Sequence, residues 1–173
     1  MFKKLLTLTA FAASASVFAA SDGQMGEDSI GSTDISIEKP VSVQITNVGD
    51  LDFGEIPVLP ENSIDERLDG VCVFSSTSFY TMTIDSASGG DFMLTGQGTN
   101  VQIPFEFLWA SGSTGPTGSY SPTSFSGNVG DPVSSDCFSG TNATIGARIQ
   151  SADYNIAPPD LYTATVMLIV TPE

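Results

Sequence analysis

The sequence predicts an all-β antiparallel sandwich. Three observations carry this: no stretch holds a sustained helical apolar stripe, β-branched and aromatic residues are frequent, and turn signals recur every 8–15 residues. The N-terminal residues stand apart. "MFKKLLTLTAFAASASVFAA" places Lys3 and Lys4 before an apolar run from Leu5 to Val17, and Val17-Phe18-Ala19 fits a small-x-Ala cleavage site. Residues 1–19 therefore read as a secretory signal peptide, because the run is too short for a bilayer span. About 153 residues remain, roughly one domain.

The elements follow in order. Residues 20–32 are polar and Gly-rich and read as extended or disordered. Thr33, Ile35 and Ile37 share one face of a short strand, and Pro40 interrupts pairing because it has no N–H to donate. Val41, Val43 and Ile45 form a second strand, and "LDFGEI" (51–56) a third. Strands follow at 71–75, 79–85 and 91–95, the last after a turn at Gly89-Gly90.

In "VQIPFEFLW" (101–109), Val101, Ile103, Phe105, Phe107 and Trp109 share a face. Such a stripe reads as core in preference to a ligand groove, and Pro104 marks an edge or a break. Residues 110–136 are rich in Gly, Ser, Thr and Pro and read as a long loop, with Tyr120 and Phe125 as hairpin anchors. "ATIGARIQ" (143–150) is a strand, and "APPD" (157–160) turns into the last one.

That last strand poses the functional question. In "LYTATVMLIVTPE", Tyr162, Ala164, Val166, Leu168 and Val170 alternate on one side, with Leu161, Met167 and Ile169 on the other. A strand apolar on both faces calls for burial and a neighbour on each edge, and three residues follow it. The N-terminal segment is the candidate to cover that edge, within its own subunit or as a strand added to another.

Composition excludes much else. The chain contains no histidine, so Ser-His-Asp and Cys-His nucleophiles and His-ligated metals are ruled out. It lacks a phosphate-cradling glycine motif at a strand-to-helix turn. The formal charge is −15, and removing Lys3 and Lys4 leaves 3 − 20 = −17. That disfavours nucleic acid and anionic lipid, and keeps an exported surface soluble. Asp50, Asp52 and Glu55 read as a solvated outer face rather than a cation site, and no cofactor is expected. In an oxidising compartment Cys72 and Cys137 are expected to pair. Asn142-Ala143-Thr144 matches a glycosylation tripeptide, a pattern common by chance.

Four features together resemble a known family. They are a signal peptide followed by an extended arm, Leu51-Asp52-Phe53-Gly54 after the first body strand, the Cys72 segment running into "FYTMTID", and a terminal Tyr-x-x-x-Val-x-Leu-x-Val strand after a Pro-rich turn. This layout is similar to the pilins of the archaic chaperone–usher pathway, the group containing the spore coat protein U domain. Asp160 and Ala164 stand where that family usually has Gly and an acid, and "VSVQI" lacks its frequent first-strand Cys.

The resemblance implies an incomplete immunoglobulin-like sandwich over residues 39–173 that lacks its last strand. It implies a donor arm within residues 20–38, with Gly31, Thr33, Ile35 and Ile37 on the donated face, and an acceptor edge at Tyr162, Ala164, Val166, Leu168 and Val170. It further implies identical or related pilin subunits, a periplasmic chaperone and an outer-membrane usher as partners, export through the periplasm, and a fimbria at the cell surface. Burying two isoleucines would contribute about 3–6 kcal/mol to such a joint. The alternative is a secreted adhesin or binding module that uses the 110–136 loop. An enzyme is not expected.

Overall fold

The computed structural model describes residues 20–112, 115–138 and 140–173; the signal peptide expected over 1–19 lies outside them. The chain divides into two compact units, Met1–Lys39 and Pro40–Glu173. In the first unit every described residue is exposed, and none lies in a helix or a named strand; residues 25–28 bend the chain back. One antiparallel bridge joins Ser21 to Ser32 through reciprocal backbone bonds of 3.1 and 3.2 Å. No strand forms over 33–37, contrary to expectation, since an isolated alternating segment has no sheet to join.

The second unit is all-β. Its strands are β1 (Val43–Thr46), β2 (Ile64–Ser75), β3 (Phe79–Ser86), β4 (Met93–Gly96), β5 (Gln102–Pro104), β6 (Glu106–Ser111), β7 (Thr117–Ser119), β8 (Thr123–Val129), β9 (Ala143–Gln150), β10 (Tyr162–Thr163) and β11 (Val166–Pro172), with one helical turn, α1 (Ser151–Tyr154). They form three antiparallel sheets ordered β1-β2-β9-β6-β7, β10-β4-β5 and β11-β3-β8.

The five-stranded sheet and the β11-β3-β8 sheet share one core. Val71 and Val73 of β2, Phe107 and Trp109 of β6, and Ile145, Ala147 and Ile149 of β9 meet Tyr80, Met82 and Ile84 of β3. Tyr80 and Trp109 touch edge to face, with centroids 6.4 Å apart. The buried Trp109 indole N–H donates to Asn128 Oδ1 on β8 at 3.0 Å. Asn128 Nδ2 in turn donates to the Tyr80 and Phe125 carbonyls. Buried groups left unpaired would each cost about 1–3 kcal/mol, so this one amide positions two strands and an aromatic pair.

Several elements differ from the sequence expectation. β2 extends N-terminally to Ile64 through Asp65, Glu66, Arg67 and Asp69, a charged run beyond the strand expected at 71–75. Its charges are paired: Arg67 with Asp65 at 2.5 Å, and Arg148 with Glu66 at 2.7 Å and Glu106 at 3.1 Å across three adjacent strands. The expected strand at 51–56 is not one. Leu51 and Phe53 do pack against the core, but Gly54 adopts a positive φ of 70°. The Asp52 and Phe53 carbonyls accept from the Arg67 guanidinium, which also lies 5.3 Å from the Phe53 ring centroid.

Val101, before β5 begins, is exposed, but from Ile103 onward the 101–109 stripe holds its face, with Ile103, Phe105, Phe107 and Trp109 buried. It breaks at Phe105, where the chain leaves β4 and joins β9. The 110–136 segment contains β7 and β8, the latter paired along β3. Its Ser- and Gly-rich composition carries no periodicity, so its place in the sheet depends on Phe125 and Asn128.

Cys72 and Cys137 form a disulfide, with Cα atoms 5.7 Å apart. Among the described residues no helix is long and apolar enough to cross a membrane.

Candidate functional site

The site expected at the terminal strand is built from β11. The single strand read over 161–170 is divided. Tyr162 lies in β10 and pairs with Gly96, and its hydroxyl donates to the Pro158 carbonyl at 2.7 Å. Ala164 is exposed in the link between β10 and β11. Val166, Leu168 and Val170 lie in β11, which runs antiparallel to β3 over seven paired residues, from Val166↔Ser86 to Pro172↔Tyr80. The acceptor residues read from sequence are thus distributed over two sheets, and three of the five share the β11 face.

Among the described residues β3 is the hydrogen-bonded neighbour of β11, and β11 closes one margin of its sheet. The cost is visible in burial. On the central strand β3 the inward side chains Tyr80, Met82 and Ile84 are 0–1% exposed. On β11 the inward side chains Val166, Leu168 and Val170 pack against the same core yet stay only half-buried. The outward Met167 and Ile169 are 41% and 48% exposed. β1, the margin of the five-stranded sheet, approaches β11 and pairs with β2 alone; its Ile45 is likewise half-buried. Among the described residues, the flank between β1 and β11 therefore presents an apolar row and two strand edges with no further ladder partner, the arrangement that sheet edges normally avoid.

The far end of β11 is anchored. The Glu173 carboxylate accepts from the Thr81 hydroxyl at 2.6 Å and the Gly127 N–H at 2.9 Å, and the Glu173 N–H donates to Phe79 O. The Thr81 hydroxyl first, then the Gly127 N–H, hold this carboxyl below its usual range. The last residue thus joins three strands of one sheet. Sequence reading missed this role, because a terminal Glu after Pro carries no signal of it.

Of the predicted donor face, Gly31 precedes the Ser21–Ser32 bridge, and Thr33 is exposed within the N-terminal segment. Ile35 and Ile37 are 93% and 97% exposed. Of the loop anchors, Phe125 packs against the core, while Tyr120 is partly exposed and its hydroxyl accepts from Gln150 Nε2 at 2.6 Å. Asn142 of the glycosylation tripeptide spends its amide on β2: Oδ1 accepts from Val73 N–H and Nδ2 donates to Val73 O, each at 2.8 Å. Among the described residues no group of His, Cys, Asp and Glu is placed to hold a metal.

No family model, no curated protein and no solved structure matches the chain.

Proposed function

We propose that this chain is the structural subunit of a surface pilus, joined head to tail when the N-terminal arm of one subunit adds as a strand beside β11 of another. One observation carries the reading. The inward row Val166, Leu168 and Val170 is half-buried beside an edge with no described partner, in a chain whose N-terminal segment exposes the alternating pair Ile35 and Ile37 outside any strand. Added strand pairing satisfies the edge N–H and C=O groups, and alternate side chains complete the apolar face.

A subunit with such an edge aggregates if released bare into the periplasm. The resemblance to archaic chaperone–usher pilins supplies the partners of this reading: a periplasmic chaperone that lends a strand, and an outer-membrane usher where it is exchanged for the next arm. The donated face is Gly31, Thr33, Ile35 and Ile37.

The test is surface-sheared protein from the native host, run on a detergent gel unboiled and boiled. Donor-strand joints are non-covalent but slow to open, so the wild type should give a ladder that collapses on heating to one band of mature size. Ile35→Asp and Ile37→Asp should each abolish the ladder while leaving the sandwich folded, because each removes about 1.5–3 kcal/mol of burial and forces a carboxylate into an apolar row. A ladder that persists in both variants, or a lone monomer band from wild type, overturns the reading.

A further inference from the structure

We infer that the recess where the β10-β4-β5 and β11-β3-β8 sheets part is a binding site for one uncharged sugar ring. Its volume is about 320 Å³, at the small end of the roughly 300–1,000 Å³ of ligand pockets. Five hydroxyl side chains ring it: Ser86 and Ser88 at the end of β3, Thr95 on β4, and Thr163 and Thr165 where the chain passes from β10 to β11. The floor is two buried rings, Phe92 and Phe105, with centroids 5.7 Å apart. The walls are fixed by the fold. Thr163 stands opposite Thr95 across the β10–β4 ladder, so the two side chains share a face. The Asp160 carboxylate fastens that ladder, accepting from the Gly98, Thr99 and Leu161 N–H groups at 2.9, 2.7 and 2.8 Å. The Ala87 N–H donates to Thr165 O at 3.1 Å, which ties the β10–β11 link to the end of β3.

The lining selects the ligand. The chain carries a formal charge of −15, yet among the described residues no charged side chain lines the recess. The carboxylates nearest in sequence are engaged: Asp85 accepts from the Ser86 N–H, and Asp91 from the Ser121 hydroxyl. A cation finds no counter-charge in the recess, and an anion is repelled by the molecule as a whole. Ser86 and Ser88 bond each other at 3.0 Å. Among the described residues the Thr95, Thr163 and Thr165 hydroxyls have no hydrogen-bond partner. The ligand must therefore match a rim of neutral donors and acceptors and set carbon against an aromatic floor. A pyranose ring does both, with hydroxyls at its edge and C–H groups on its face.

Size sets the strength. The recess holds one ring, and a ring of so few atoms dissociates on the order of millimolar. Because the ligand is uncharged, its affinity does not depend on salt.

The inference does not need the arm-mediated joint. Its test is amide NMR on the isotope-labelled full mature chain carrying Ile35→Asp and Ile37→Asp, so that any joint made by the arm is blocked. The probes are free glucose, galactose and mannose and their methyl glycosides, up to about 50 mM. At least one should shift the Ser86, Ser88, Thr163 and Thr165 amides together, with a Kd of about 1–10 mM that is the same in about 20 mM and about 0.5 M salt. Glucuronate should bind at least about tenfold more weakly. Thr163→Val keeps strand propensity and should weaken binding at least about threefold. Ala164→Phe fills the recess from an exposed position outside the ladders and should abolish binding; dispersed spectra check the fold of both. Binding of a glycoside assigns the site to the end of a glycan chain, and binding of free sugars alone assigns it to a monosaccharide. No shift at these amides with any probe overturns the inference. So does binding by both folded variants equal to that of the parent. The heat-labile ladder separately decides the pilus reading.

Discussion

Three asparagine side chains bind backbone groups of other segments and so supplement the strand ladders of this sandwich. Asn142 pairs with both backbone groups of Val73, and Asn155 does the same to Leu59, at 2.9 Å for each bond. Each amide acts as a one-residue strand. Asn128 is the most buried of the three, at 6% exposure. Asn128→Ala strands the Trp109 indole N–H and removes the donor to the Tyr80 and Phe125 carbonyls. Urea unfolding followed by Trp109 fluorescence should show a loss of about 3 kcal/mol; a loss under about 0.5 kcal/mol would refute the assignment. Tyr80 gives the pH dependence at this scale. Burial pushes its phenol up from the ordinary value of 10.0 to about 12, opposed by the Ser111 side chain. A raised value favours the neutral form in the folded state. The associated stability is complete below pH 10 and is lost as pH rises through about 12. Stability measured from pH 9 upward should fall along this course, and Tyr80→Phe should flatten it.

At the scale of elements, neighbours decide what a periodic segment becomes. The 101–109 stripe is one uninterrupted pattern, yet β5 and β6 serve different sheets because Phe105 donates its N–H to Phe92 O at the crossing. The same happens between β10 and β11, where Ala164 and Thr165 carry the chain from one sheet to another. β11 then has one described partner, and its inward residues stay half-buried for that reason. The disulfide acts on elements too: it fastens β2 at Cys72, opposite Thr46 of β1, to the 131–142 segment. With a sequence separation of 65 between the cysteines, the chain-entropy relation gives about 4 kcal/mol. Replacing both cysteines by serine should lower the urea midpoint accordingly; an unchanged midpoint would show that the unfolded chain is already restricted there.

For the whole molecule, the acidic excess is the leading feature: residues 40–173 hold fifteen carboxylates against two arginines, while exposed apolar side chains are scattered, from Val58, Val133, Phe138 and Ile156 to Met167 and Ile169. If subunits are joined through the flank, each fibre repeats that negative charge at regular intervals, so neighbouring fibres repel until salt screens them. Sheared wild-type fibres should therefore stay single in electron micrographs at low salt and bundle as salt rises.

Residue types and their spacing determined the all-β class, the pairing of Cys72 with Cys137, the strand at 143–150 to the residue, and the inward set Ile103, Phe105, Phe107 and Trp109. These follow from local alternation and from cysteine count in an exported chain, which need no knowledge of neighbours. Only the tertiary structure decided the rest. A charged run became half of β2 because Arg67 and Arg148 find carboxylates on nearby residues and strands. A Ser- and Gly-rich stretch became β8 because Asn128 bridges it to β3. An isoleucine-bearing segment stayed out of any sheet, and the terminal strand divided and kept a free edge. Alternation specifies which side chains face together, but a hydrogen-bonded ladder also needs a second strand, and that is supplied from a distant part of the chain or from another molecule.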